Sequence, residues 1–220
     1  MTSKKVAIDR IVKIAARPLA EIGFTQCGEE VFGREIGHRV HALVRLSPGF
    51  SNMPLPFGMS LVLPSAGLYS EKIDRLSHSF RGTPFPRREP YEQIGCPMYV
   101  LSADLHEGGE IWREGGENVE TLELLCTVVL QKVLPKLTAL TLTGELAARL
   151  ERNDLHPWFC QRADLLPLVL AAEGRYVEAE RHAEIFLADI ARREPSGSAL
   201  LRSYAEFVAA LKGALNYSTN

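Results

Sequence analysis

The residues best suited to chemistry concentrate in a few short stretches. The first is "GHRVHALVRL", residues 37–46, where His38 and His41 stand beside Arg39 and Arg45. On a helix, histidines at this spacing could share a metal ion; beside a carboxylate, one of them could carry a proton. On a strand the side chains alternate. His38, Val40, Ala42 and Val44 then face one way, and Arg39, His41, Leu43 and Arg45 the other. The two histidines would point to opposite sides of the sheet, with no carboxylate or cysteine at ligand spacing nearby, so no metal site is expected.

The second stretch is "DLHEGGEIWREGGE", which brings His106 together with Glu107 and Glu110. A histidine beside a carboxylate can transfer protons. The pattern is not the His-Glu-x-x-His zinc helix, however, and its glycines oppose helix formation, so it reads as a solvated acidic turn. The third, "FRGTPFPRREP", places Arg81, Arg87 and Arg88 with Phe80 and Phe85. Aromatics among arginines can grip single strands of nucleic acid. A net charge of −2 argues against that use, and a solvated loop is the simpler reading. "HAEIF" lacks the Pro-Cys-x-x-Cys partner of a zinc deaminase. Cys96 in "GCPMYV" could be a nucleophile only beside a base, and is read as buried structure. Phosphate-loop, dinucleotide and Gly-x-Ser-x-Gly motifs are absent from the sequence.

These residues must be positioned by a particular set of elements. Apolar periodicity predicts a first helix, with a kink or break at Pro18 and a stop at Gly23. "EEVFGREI" and "HRVHALVRL" then read as a hairpin turning at Gly37. A third strand, "FGMSLVL", sets Phe57, Met59, Leu61 and Leu63 on what is expected as the core face, and a fourth, "MYVLSADL", aligns Tyr99, Leu101, Ala103 and Leu105 with it; the apolar set of the second strand is Val40, Ala42 and Val44. Between them "SEKIDRLSHSF" is predicted as a short helix and "RGTPFPRREP" as irregular. From residue 118 the chain reads as helical. "VETLELLCTVVLQKVLPKL" is expected as a helix buried nearly all round, and Thr143 as the cap of "GELAARLER". Three further helices end in a stripe of Leu200, Tyr204, Phe207, Val208, Leu211 and Leu215. Strands followed by helices define an α+β fold: a sheet domain over 1–117 with one helix and four antiparallel strands, and a helical region over 118–220 packed on it, as a separate region or as part of one continuous domain.

The 220 residues, 46% hydrophobic and 24% charged, suit a globular protein able to bury about 70% of its unfolded surface. Four scattered cysteines include no Cys-x-x-Cys, and Cys126 lies in an apolar run, which implies reduced thiols. Lys13 and Arg17 interrupt the first apolar stretch, so it does not read as a signal peptide. Nor is any apolar run long enough to span a bilayer. A cytoplasmic protein with no cofactor is expected.

The segment "LAEIGFTQCGEEVFGREIGHRVHALVRL" resembles a broad group of bacterial domains of unknown function. In these a helix ends in Gly-Phe and leads into an antiparallel meander carrying a large aromatic and a basic residue. The corresponding residues here are Gly23, Phe24, Phe32 and Arg34. "VLPKLTALTLTGELAARLE" is similar to the helical segment that follows the sheet in such domains. The resemblance implies a link to immunity proteins of bacterial toxin systems and supplies no catalytic residues. "LVLAAEGRYVEAERHAEIFLADIA" resembles one tetratricopeptide-type hairpin, with its turn at Gly174–Tyr176 and with Ala179 and Ala183 inside; Phe186 and Pro195 depart from that pattern, and a single copy cannot form a solenoid groove.

The expectation is therefore a non-enzymatic interaction protein. Its binding face would carry Arg39, His41 and Arg45, with Ser60, Ser102 and Asp104 from neighbouring strands, and would suit a protein partner or an anionic ligand. A homodimer through the last helix is allowed; nucleic acid and membrane are not expected. The alternative is a small hydrolase or transferase using His41 or His106 with a nearby carboxylate, His106 having Glu107 and Glu110 at hand.

Overall fold

A computed structural model describes residues 3–49, 55–56, 58–80, 90, 92–107, 109–113, 118–141, 144–152, 155 and 165–218. The fold is α+β: an N-terminal helix, an antiparallel sheet and a helical C-terminal half. Among the described residues no single helix is long and apolar enough to cross a membrane.

The chain divides into two compact units. The first comprises 1–69, 88–142 and 156–160, and the second 70–87, 143–155 and 161–220. The boundary expected at 117/118 is not where the chain divides. The helical stretch after 118 belongs to the sheet unit as far as 142, and the helix after Ser70 belongs to the helical unit.

In the sheet unit α1 (Ser3–Glu21) runs through Pro18 as one helix, so of the expected kink or break there is no break. It stops at Gly23 as expected. Gly23 takes φ 85, its N–H donates to Ala20 and that of Phe24 to Leu19, which closes the last turn around a left-handed residue. Phe24 and Leu19 are both fully buried there. A short β1 (Thr25–Gln26) leads to β2 (Val31–Gly37) and β3 (Val40–Pro48), an antiparallel hairpin as read from the sequence. The turn has an irregularity between Glu35 and Gly37, and Arg39 adopts φ 57.

β4 (Met59–Ser70) is longer than expected. The fourth predicted strand is displaced: β5 is Ile94–Pro97, and "MYV" at Met98–Val100 is a 3-10 turn. A further strand not anticipated, β6 (Glu110–Arg113), lies within the stretch read as a solvated turn. Strand order is β1-β2-β3-β4-β5, with β6 pairing β4 beyond the end of β5.

One face of the sheet carries Phe32 opposite Val44, Ser60 opposite Trp112, Val62 opposite Glu110, and Ala66 opposite Cys96. All but Ser60 are buried, and Ile11, Val12, Ala15 and Leu19 of α1 are buried with them. The core side of β4 is therefore Val62, Pro64, Ala66 and Leu68, and not the expected set, since Met59, Leu61 and Leu63 are half-buried on the other face. β4 has apolar residues on both sides, so alternation alone does not reveal which side the helices cover. Phe57 lies outside the described residues.

The helical cover continues as α3 (Val119–Val128), a π-helical stretch Val129–Val133 and α4 (Leu134–Leu140). Leu134 N–H bonds the carbonyl of Val129. Pro135 follows directly; it has no N–H, and in a regular α-turn its ring would strike the carbonyl of Gln131, so the widened turn relieves both problems. The helix is buried along one side, by Leu122, Leu125, Val128, Val129, Val133 and Leu137, and not all round, since Glu123, Leu130 and Lys132 are exposed.

The second unit contains α2 (Glu71–Phe80), α5 (Glu145–Arg152), α6 (Leu165–Ala172), α7 (Tyr176–Arg193) and α8 (Ala199–Ser218). α7 packs on both α6 and α8, and α2 packs on α6 and α8. Ala179 and Ala183 are fully buried, as the hairpin pattern requires. Tyr204, Phe207, Val208 and Leu211 form the buried stripe of α8, and Leu200 is exposed. The Thr143 cap and the "RGTPFPRRE" arginines fall outside the described residues.

Candidate functional site

The sheet face opposite the one buried with α1 gathers polar groups around β3 and β4. His41, Leu43 and Arg45 share one face of β3, opposite Glu35, Gly33 and Val31 of β2. The ring of His41 lies 6.2 Å from that of Tyr69 on β4, tilted by 41°. Arg45 Nε donates to Glu92 Oε1 at 3.2 Å and to Oε2 at 3.3 Å, and Ser65 Oγ donates to the same Oε1 at 3.3 Å. The side chains of Arg45 and Glu92 are 26% and 17% exposed, so the pair is partly withdrawn from water.

Two glycines explain how Glu92 reaches this position. Gly67 on β4 and Gly95 on β5 are register partners. A Cβ on Gly67 would lie 2.6 Å from Glu92 Cγ, and one on Gly95 would lie 2.8 Å from Glu92 Cβ. The carboxylate stem thus lies flat over a glycine floor, which fixes its oxygens towards Arg45 and Ser65. This face is not wet throughout: Val31 and Leu43 are fully buried on it.

The sequence-derived site is only partly assembled. His41 and Arg45 share the face as read. Arg39 does not join them: it lies in the hairpin turn, exposed, with its backbone N–H bonded to Glu35 Oε1 at 3.2 Å. His38 is in the same turn, so the strand alternation that was to orient it does not apply. Ser60 lies on the opposite, helix-covered face, paired with Trp112. Ser102 and Asp104 lie in turns after the 3-10 segment, with Ser102 Oγ bonded to Asp104 Oδ2 at 2.7 Å. Glu92, Ser65 and Tyr69 were missed. Glycine inside a strand marks close approach of another group, but Gly67 and Gly95 fell in the stretch read as a connection between strands, so that signal was hidden.

The second candidate group is also rearranged. Glu110 is buried on β6, and its Oε1 accepts the backbone N–H of His106 at 2.8 Å. His106 and Glu107 are exposed. The carboxylate ties down a turn. Among the described residues no group of three or more His, Cys, Asp or Glu could hold a metal ion.

Two open grooves lie at the sheet's margins. One, of about 500 Å³, is lined by Met59, Ile111, Arg113, Asn118, Val119 and Glu120, among others. The other, of about 520 Å³, runs between Arg34–Ile36 of β2 and Leu130, Leu134 and Pro135 of the helical cover. Neither histidine candidate lines either groove. No protein-family model, no curated protein and no solved structure matches this chain.

Proposed function

We propose that this protein is a non-enzymatic interaction module that binds its partner through the outer sheet face around His41, Tyr69 and the Arg45–Glu92 pair. The observation that carries this reading is the setting of the histidines. His41 is half-buried against Tyr69 and His106 is exposed, and among the described residues neither lines either of the two grooves above, where a substrate could be desolvated. A fixed polar face with an aromatic beside it suits recognition by a second macromolecule.

The partner chemistry differs from that expected of two free arginines. The charge of Arg45 is already balanced by Glu92. Recognition would therefore use the pair as a fixed dipole, with Tyr69 and His41 supplying contact area, and a protein surface fits this better than a small anion. The resemblance to immunity-related bacterial domains points the same way, to an inhibitor of a bacterial toxin.

The test captures partners with the wild-type protein and with His41→Glu and Tyr69→Ala variants whose melting temperatures are unchanged, and asks whether co-expression of each protects growth against a captured or gene-neighbouring toxin. Loss of protection and of co-purification in the folded variants supports the reading. Full protection by both variants places binding elsewhere, and turnover of a substrate that depends on His41 or His106 would establish the hydrolase or transferase alternative.

A further inference from the structure

We propose that Asn118 is an internal plug for the edge of β6, and that without it this edge pairs with the same edge of a second copy of the chain. The direction of the backbone groups follows from the ladder. The carbonyl of Leu61 accepts from Gly49, on the β3 side of β4, and that of Leu68 accepts from Gln93, on the β5 side. Odd-numbered residues of β4 therefore bond towards β3 and even-numbered ones towards β5 and β6. Ser60–Trp112 and Val62–Glu110 are then the hydrogen-bonded pairs, and the peptide groups of Ile111 and Arg113 point outward.

Asn118 takes up the Arg113 groups. Arg113 N–H donates to Asn118 Oδ1 at 2.8 Å, and Asn118 Nδ2 donates to the Arg113 carbonyl at 3.0 Å. This is the two-bond exchange that a residue of a neighbouring strand would make, performed by a side chain. Asn118 is 6% exposed. It also stands at the N-cap of α3, where asparagine ordinarily accepts from the first-turn amides, yet it makes no such bond. The carboxamide is spent on the strand edge instead of on the helix.

What it guards is a sticky margin. Ile111 is 54% exposed and Val119 is 52% exposed, on either side of the plug. Outward N–H and C=O on Ile111 are self-complementary about a two-fold axis, so a second β6 could pair antiparallel across that residue. With Asn118 in place, Ile111 alone among the described residues of β6 offers outward groups, too few for a stable edge contact. Removing the carboxamide releases the pair on Arg113 and lengthens the template.

The experiment compares wild type, Asn118→Ala, Asn118→Asp, and each variant combined with Ile111→Lys, by light scattering over about a hundredfold concentration range. Circular dichroism and a cooperative melt verify folding. Asn118→Ala should show a mean mass that rises with concentration towards about twice that of wild type. Asn118→Asp, which keeps the acceptor and loses the donor, should rise less. Ile111→Lys should return both to the wild-type profile, because a lysine on the edge blocks pairing. A folded Asn118→Ala that matches wild type in mass overturns the proposal, as does association that persists with Ile111→Lys. If Asn118→Ala does not fold, the Asn118→Asp pair of variants decides by the same comparison.

Discussion

Glu92 shows how a residue's role depends on what its neighbours lack. Its stem rests where the side chains of positions 67 and 95 would otherwise be, and a Cβ at 67 would also lie 2.4 Å from the Ile94 carbonyl. Gly67→Ala should therefore destabilise the protein by about 2–3 kcal/mol, read as a lowered urea midpoint. Gly213→Ala provides the contrast. A Cβ on that helical glycine would meet nothing within 4 Å, so the change should stabilise by about 0.4–1 kcal/mol. The thiols are also ordered by setting. Cys27 is exposed, Cys96 buried and Cys126 half-buried. Burial raises the Cys126 pKa above its ordinary value, and the nearby Glu21 raises it further. Less thiolate forms at neutral pH, so alkylation mapped by mass spectrometry should reach Cys27 first and Cys126 well after it. The shared face of His41 and Arg45 was legible from strand alternation. The absence of Arg39 from it was not, because a left-handed turn residue leaves the alternation.

Among the elements, the turn into α7 is held by one side chain. Arg175 bonds Glu178 at 2.6 Å, Glu151 of α5 at 3.1 Å and Glu173 at 3.4 Å. Its hydrogen bond holds the Glu178 carboxyl below its usual pKa, an effect opposed in part by desolvation. A depressed carboxylate contributes stability above its unfolded pKa and loses it as pH falls through the folded value. Arg175→Ala should flatten that acid limb of the stability curve, measured by thermal melts from pH 6 down to about 3. The effect should be modest because these groups are exposed to solvent. α8 carries more weight, with Tyr204, Phe207, Val208 and Leu211 all buried, each worth about 1.5–3 kcal/mol. Truncation after Ser198 should yield insoluble protein or a sharply lower melting temperature.

At the scale of the whole molecule, sequence order and spatial grouping diverge. α2 interrupts the sheet segment yet packs with α6 and α8, while α3 and α4 follow the sheet in sequence and remain in its unit. A cut at 117/118 would strip the sheet of its helical cover and the helical unit of α2. Fragments 1–117 and 118–220 expressed separately should each be insoluble or lack a cooperative melt; two soluble, cooperatively melting fragments would refute this grouping. The sequence by itself determined the α+β class, the β2–β3 hairpin, the Gly23 helix stop, the α6–α7 pair and the Tyr204–Leu211 part of the α8 stripe. Each of these follows from periodicity or turn chemistry within a few residues. Tertiary structure alone decided which face of β4 is core, where β5 begins, that "EIWR" is a strand, and that Glu92 meets Arg45. These outcomes depend on partners distant in sequence: a strand with apolar residues on both sides is oriented only by the helices that cover it, and a four-residue strand exists only through the ladder it joins.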